Sequence, residues 1–206
     1  MGRRRHQAET EGDERDALVR ELHHRVKNNL QIIVSLMNVQ KRMLPTARRG
    51  EIRFLEEHVQ SIAAAYRVVY ASGEMINVSI DELIREVVSS VVEVAGGKAH
   101  SVETADCKAH MMINLDQAIT LGLYLAATLP PMLDAACVAN GSVRLTTRLE
   151  GDQVCLEIAC PVPVDALFDH LRERLIEGHL EQLGARRLHT VPKTELHISL
   201  PAAGLE

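Results

Sequence analysis

The sequence predicts an α+β chain in two parts. The first is an antiparallel helical hairpin, forming a four-helix bundle in a dimer. The second is an α/β sandwich with a mostly antiparallel sheet and helices on one face. Three observations lead there. Apolar residues recur at spacings of three and four from Leu18 to Met37 and again from Ile52 to Val69, with Pro45 and Gly50 between. After Ser72-Gly73 the texture changes to short alternating runs separated by helical stretches. Glu150-Gly151-Asp152 divides two of those runs as a β-hairpin turn does.

Residues 1–12 are polar and lack periodicity, and read as a disordered leader. Residues 13–73 make the hairpin. On its first helix Leu18, Leu22, Val26, Leu30, Ile33 and Met37 form the stripe expected to be buried. On the second, Ile52, Leu55, Val59, Ile62, Tyr66 and Val69 follow the 3-4 spacing of a heptad seam. A lone hairpin cannot cover both, so two hairpins are expected to join as a homodimer. Packing on the rest of the same chain is the alternative.

Residues 74–206 form the sandwich. Strands are expected at Ile76–Val78, His100–Glu103 and Met111–Asn114. Ser79-Ile80-Asp81-Glu82 is a capping box opening a helix to about Val94. Leu115–Ala136 reads as a helix interrupted by Pro130-Pro131. The hairpin strands are Ser142–Leu149 and Gln153–Ala159. A helix over Val164–Leu183 ends at Gly184, and strands at Arg187–Val191 and Glu195–Leu200 close the sheet.

Composition narrows the function. The chain has 206 residues, 46% apolar and 25% charged, as soluble globular proteins do. No run of about 18 apolar residues occurs, so no membrane insertion is expected. Met1-Gly2-Arg3-Arg4-Arg5-His6 carries no apolar signal core. Cys107, Cys137, Cys155 and Cys160 show no CxxC spacing and read as thiols in a reducing compartment, which with the missing signal predicts a cytoplasmic protein. A net charge of −5, five aromatics and no Trp argue against nucleic-acid binding. Residues 1–77 nonetheless carry 13 Lys and Arg against 10 Asp and Glu, a balance suited to an acidic partner. The remaining histidines are scattered without HExxH or HxH spacing, so no metal site is expected.

One segment carries chemistry: Glu21-Leu22-His23-His24-Arg25-Val26-Lys27-Asn28-Asn29-Leu30-Gln31. At about 100° per residue, the apolar stripe centres roughly 45° from Leu22, His23 falls near 100° and His24 near 200°, opposite the core. Lys27, Asn28 and Gln31 share the face of His24. An exposed imidazole is a competent nucleophile at neutral pH and can take a phosphoryl group in line. Lys27 and Arg25 would neutralise that group or steer an acidic partner. On periodicity alone, two histidines on a polar face are equally read as plain surface residues.

The string His23–Gln31 resembles the phosphoacceptor box H-H-R-V-K-N-N-L-Q of HWE-type sensor histidine kinases and the second HisKA class, over nine consecutive residues. The resemblance makes His24 the phosphoacceptor. It implies a dimeric hairpin followed by a histidine-kinase ATPase-like domain, and receiver domains of response regulators as partners. Arg20, His23, Arg25 and Gln31 would form their footprint, with Lys27 and Asn28 beside His24 in the chemistry.

The second part departs from the family. Where its helix reads L-G-L-I-L-N-E-L-V-T-N-A-L-K-H, this chain has Leu121-Gly122-Leu123-Tyr124-Leu125-Ala126-Ala127-Thr128-Leu129-Pro130-Pro131-Met132-Leu133-Asp134-Ala135. The Asn-Glu pair that serves Mg²⁺ and phosphate is Ala126-Ala127, and the second Asn is Pro131. The Asp-x-Gly-x-Gly turn that reads adenine is replaced by Cys160-Pro161-Val162-Pro163-Val164. Three expectations follow: a histidine phosphotransferase relaying phosphoryl groups through His24 without ATP or a bound cofactor, Mg²⁺ coming with the receiver; a non-catalytic pseudokinase that binds receivers or a kinase; or a divergent ATP-dependent kinase.

Overall fold

The computed structural model describes residues 2–72, 77–94, 102–105, 111–151, 153–164, 167–188 and 195–201. Helix α1 (Gly2–Met43) and helix α2 (Arg49–Ser72) are joined by Pro45 and a 3₁₀ turn, Thr46–Arg48. The helix begins at Gly2, so the polar leader expected to be disordered is helical. Its sequence suits that: beyond Gly2 and Gly12 it holds mostly Arg, Glu, Gln and Ala, with Arg5–Glu9 and Glu11–Arg15 spaced four apart.

The two helices pack along Leu30, Val34 and Met37 of α1 and Leu44 just after it, all half-buried. Lys41 Nζ lies 2.6 Å from Glu56 Oε2 across this interface, where Glu56 is buried. The seam is turned away from the stripe that periodicity suggests. Leu22 and Ile33, expected inside, are 60% and 42% exposed. One partner helix covers one seam, and the apolar surface of α1 is wider than that. Ile32, Leu36, Val39 and Met43 on the far side are between 55% and 76% exposed.

Helix α2 is shared by two cores. Its fully buried face is Glu57, Ser61, Ala64, Ala65 and Val68, lying against α3 (Ile80–Val94) and α4 (Leu115–Val138). The predicted heptad seam sits at the edge, with Leu55 exposed and Ile52, Val59, Ile62 and Tyr66 half-buried. Small residues win the interior because they let backbones approach. A Cβ on Gly122 of α4 would stand 2.8 Å from Ser61 Oγ.

Strand β1 (Asn77–Ser79) pairs antiparallel with β3 (Met112–Asn114). The main sheet has the order β2-β4-β5-β7-β6, from β2 (Val102–Ala105), β4 (Val143–Glu150), β5 (Gln153–Ala159), β6 (Arg186–Leu188) and β7 (Glu195–Pro201). Only β2 with β4 is parallel. Val143, Leu145, Val154, Leu156 and Ile158 join α3, α4 and α5 (His170–Leu183) in one core, which Met111 and Met132 enter.

Helix boundaries follow their caps. Ser79 Oγ meets the Glu82 N–H at 3.5 Å, and Asn114 and Gln117 form a reciprocal capping box on α4. The helix expected from Val164 starts instead at His170, because the Asp169 carboxylate accepts the Arg172 N–H and ends the preceding turn. Gly184 closes it at φ 62°. Pro130-Pro131 does not interrupt α4, for a reason given below. An 18-residue window of α4 has mean hydropathy 1.4, enough by length and composition to cross a membrane; 67% of it is buried inside the fold.

Candidate functional site

The phosphoacceptor-like box lies within α1, whose backbone is continuous helix across it. The side chains of Arg20, His23 and His24 lie outside the described residues. Arg25, Asn28 and Gln31 are exposed, as expected of a docking face. Arg25 Nε donates to Glu21 Oε1 at 2.8 Å across one turn, and both side chains are mostly in solvent, so the pair stabilises the helix by only about 0.3–0.5 kcal/mol. Lys27 departs from expectation: it is half-buried, on the same helical face as Lys41, whose ammonium bonds to α2. Asn28, Gln31, Ile32, Ser35, Leu36 and Val39 line an open groove of about 390 Å³ beside the box.

A second cluster gathers around α4 at Ala126, Ala127 and Pro131. Ala126 and Ala127 are fully buried, and Pro131 follows them. Pro131 has no N–H to give the carbonyl four residues back, which is that of Ala127. Arg172 of α5 fills the vacancy, its Nη1 lying 3.0 Å from Ala127 O. The helix therefore continues through the prolines with that acceptor satisfied.

The Arg172 guanidinium also stacks 5.0 Å from the Phe54 ring and stands 3.7 Å from Glu57 Oε2. Arg53 Nε bonds Glu57 Oε1 at 2.8 Å, and its Nη2 reaches Asp134 at 3.5 Å. Asp134 is exposed and carries this longer contact. Burial raises the Glu57 carboxyl against the attraction of Arg53 and Arg172. Burial pulls Arg53 downward, and Glu57 and Asp134 together raise it on balance.

Two imidazoles complete the joint. His58 Nδ1 is 2.8 Å from the Phe54 carbonyl, so that nitrogen donates and Nε2 is the bare one. Nε2 of His58 and of His179 are both buried without a hydrogen-bond partner among the described residues. Burial lowers both, with Arg172 adding to His58 and His58 adding to His179. Sequence reasoning left these histidines as scattered groups without metal-ligand spacing. The signal available was the i,i+4 offset of Phe54 and His58.

The turn after β5 is closed by packing. Cys160 is buried with its Sγ 3.6 Å from Met132 O, and Pro161 sits so close that a Cβ on Gly141 would meet it at 2.8 Å. Cys137, Cys155 and Cys160 are free thiols, while Cys107 lies outside the described residues. Among the described residues no group of three His, Cys, Asp or Glu could hold a metal ion.

A helical hairpin carrying the box, with α2 packed onto a five-stranded α/β sandwich, is the fold of a histidine kinase catalytic core. Two solved structures share it. The histidine kinase domain of the Erythrobacter litoralis EL346 blue-light activated histidine kinase has a TM-score of 0.61 at 18% identity, covering 91% of this chain and 94% of that one. The longer EL346 chain gives 0.62 at 16% identity, covering 88% and 59%. In sequence, residues 21–95 match the family HisKA_2, histidine kinase. The sensor histidine kinase PdtaS from two strains of Mycobacterium tuberculosis is 36% identical over 83 residues, 39% of this chain. That match spans 16% of the length of these curated relatives. Residues 21–95 are thus similar to the HisKA_2 histidine kinase family.

Proposed function

We propose that this chain is a histidine phosphotransferase of a two-component phosphorelay, working as a homodimer. The observation that carries the reading is a contrast within one fold. The box His23–Gln31 is intact on α1, whereas the positions that would serve Mg²⁺ and nucleotide on α4 are Ala126, Ala127 and Pro131. Ala has no ligand atom, and the Ala127 carbonyl is held by Arg172. These residues do not fit a magnesium nucleotide.

In the transfer, a ring nitrogen of His24 attacks the phosphorus of a receiver's aspartyl phosphate. The P–N bond forms as the P–O bond to aspartate breaks, and the electron pair leaves on the carboxylate. A second receiver's aspartate reverses the step. The receiver supplies Mg²⁺. Arg25, Asn28 and Gln31, exposed beside the box, meet its acidic surface. Exposed Leu36, Val39 and Met43 support the dimer, because a lone hairpin leaves them in water.

The test is a paired labelling assay. One arm supplies labelled ATP with Mg²⁺; the other supplies pre-phosphorylated receivers. Label acquired only from receivers, and lost in His24→Ala, is the expected result. Label taken from ATP restores the kinase and overturns the reading. No label in either arm across a receiver panel leaves the non-catalytic binding module.

A further inference from the structure

The joint between α2 and α5 is a balanced set of charges. Arg53 and Arg172 supply two guanidinium groups, and Glu57 and Asp134 supply two carboxylates. Two imidazoles stand beside this set without a carboxylate of their own. His58 is on α2, its ring 4.4 Å from that of Phe54, over which Arg172 lies. His179 is on α5, roughly two turns beyond Arg172 and so on the same face of that helix.

We propose that this joint is an acid-released latch: a proton on His58 or His179 parts the Phe54–His58 turn of α2 from α5 while the sheet stays folded. The latch goes beyond the phosphotransfer reading and does not depend on it.

The neighbours of the two rings leave an added charge unsupported. His58 Nδ1 already meets the Phe54 carbonyl, so a further proton goes to Nε2. Nε2 of both rings is buried and has no hydrogen-bond partner among the described residues. A cation at His58 meets Arg172, and one at His179 meets His58. The acids nearby are committed: Glu57 to Arg53 and Arg172, and Asp134 to Arg53. Glu56 of α2 is tied to Lys41 of α1, and Glu86 of α3 to Arg67 of α2. At about 100° per residue, Glu173, Glu177 and Glu181 stand roughly 120° or more round α5 from His179. Strand β6, which also meets α5, contains Arg186 and Arg187 and no acid. Burial lowers both rings from the ordinary histidine value, so they are neutral at pH 7 and the charge arrives only in acid.

Release is local because of how α5 is held. It packs along α4, and it reaches α2 by side chains, with Arg172 against Phe54 and Glu57. Helix α2 keeps its own buried face on α3 and α4 through Ala64, Ala65 and Val68, which do not titrate.

Amide hydrogen exchange of the full chain, read by peptide mass spectrometry between pH 5 and 7.5 and corrected for intrinsic rates, tests this. Peptides covering residues 53–58 and α5 should exchange about tenfold or more faster at the acid end, with those of β4 and β5 unchanged. His58→Gln and His179→Gln should each reduce the gain and together abolish it, since Gln keeps a neutral donor at either place. Equal acceleration in the sheet means global unfolding and overturns the latch. So does the absence of any gain in the parent, or a gain that persists in the double variant. Proton NMR titration of the parent's imidazoles needs no variant to fold. At least two histidines should titrate below 6.5, and all ten at or above it would overturn the proposal.

Discussion

The guanidinium of Arg172 donates to the carbonyl of Ala127 at 3.0 Å, the oxygen that Pro131 leaves without its helical donor. One long side chain thereby holds α5 to α4 and, through Phe54 and Glu57, to α2. The joint lies where α2, α4 and α5 meet.

Arg172→Met should destabilise the protein by about 3 kcal/mol, because it leaves the Ala127 carbonyl and part of the Glu57 carboxylate without a partner. Pro131→Ala supplies the missing N–H and should reduce that loss. Urea unfolding of the two single variants and the double variant measures the coupling; additive losses would show that the guanidinium is not replacing the proline's donor.

Gly122→Ala should cost about 1–3 kcal/mol, since its Cβ would press on Ser61 Oγ at 2.8 Å. Ser61→Ala removes an oxygen with no hydrogen-bond partner among the described residues and should be nearly neutral alone. In the Ser61→Ala background the cost of Gly122→Ala should fall, read from thermal midpoints of all three variants.

Acid should loosen the α2–α5 joint. His58 and His179 are lowered from 6.5 by burial, so the unfolded chain binds more protons than the folded one as pH drops. Their contribution is fully present above about pH 6.5 and is lost as pH falls toward their folded values. Glu57, raised by burial, runs the other way: its stabilising effect is lost as pH rises through its own, higher value. Denaturation between pH 5 and 8, in the parent and in a His58→Gln, His179→Gln double variant, should show a flatter profile in the variant.

Lys41→Met should destabilise the hairpin by about 1–3 kcal/mol, because it strands the buried Glu56 carboxylate. Adding Glu56→Leu should recover most of the loss. Equal losses in the single and double variants would show that the pair is not what holds α1 against α2.

Much of this fold was legible in the sequence. The hairpin, the β4–β5 turn and the Gly184 cap are local signals, written in spacing and turn chemistry. The capping box Asn114–Gln117 was equally local and was missed, though Asn followed three residues on by Gln carries it. What sequence could not give were choices between competing partners. Periodicity put Leu22 and Ile33 inside, yet the direction of packing depends on which helix arrives, and α2 spends its small face on α3 and α4. Pro130-Pro131 reads as a break because its remedy, Arg172, lies on another helix. Of the site, the helix that carries the box was readable, while the half-burial of Lys27 followed from the α1–α2 crossing.

The sharing of α2 also orders events as the chain is made. Its Ser61, Ala64 and Ala65 face has its partner in α4, around Gly122, and that helix is translated well after the hairpin has left the ribosome. Until then a nascent α1–α2 pair has only its outer contacts, with Glu57 still awaiting Arg172 from α5. The hairpin thus gains its last buried contacts from helices that follow it in the sequence, and a chain ending before α5 lacks the Arg172 partner of Glu57.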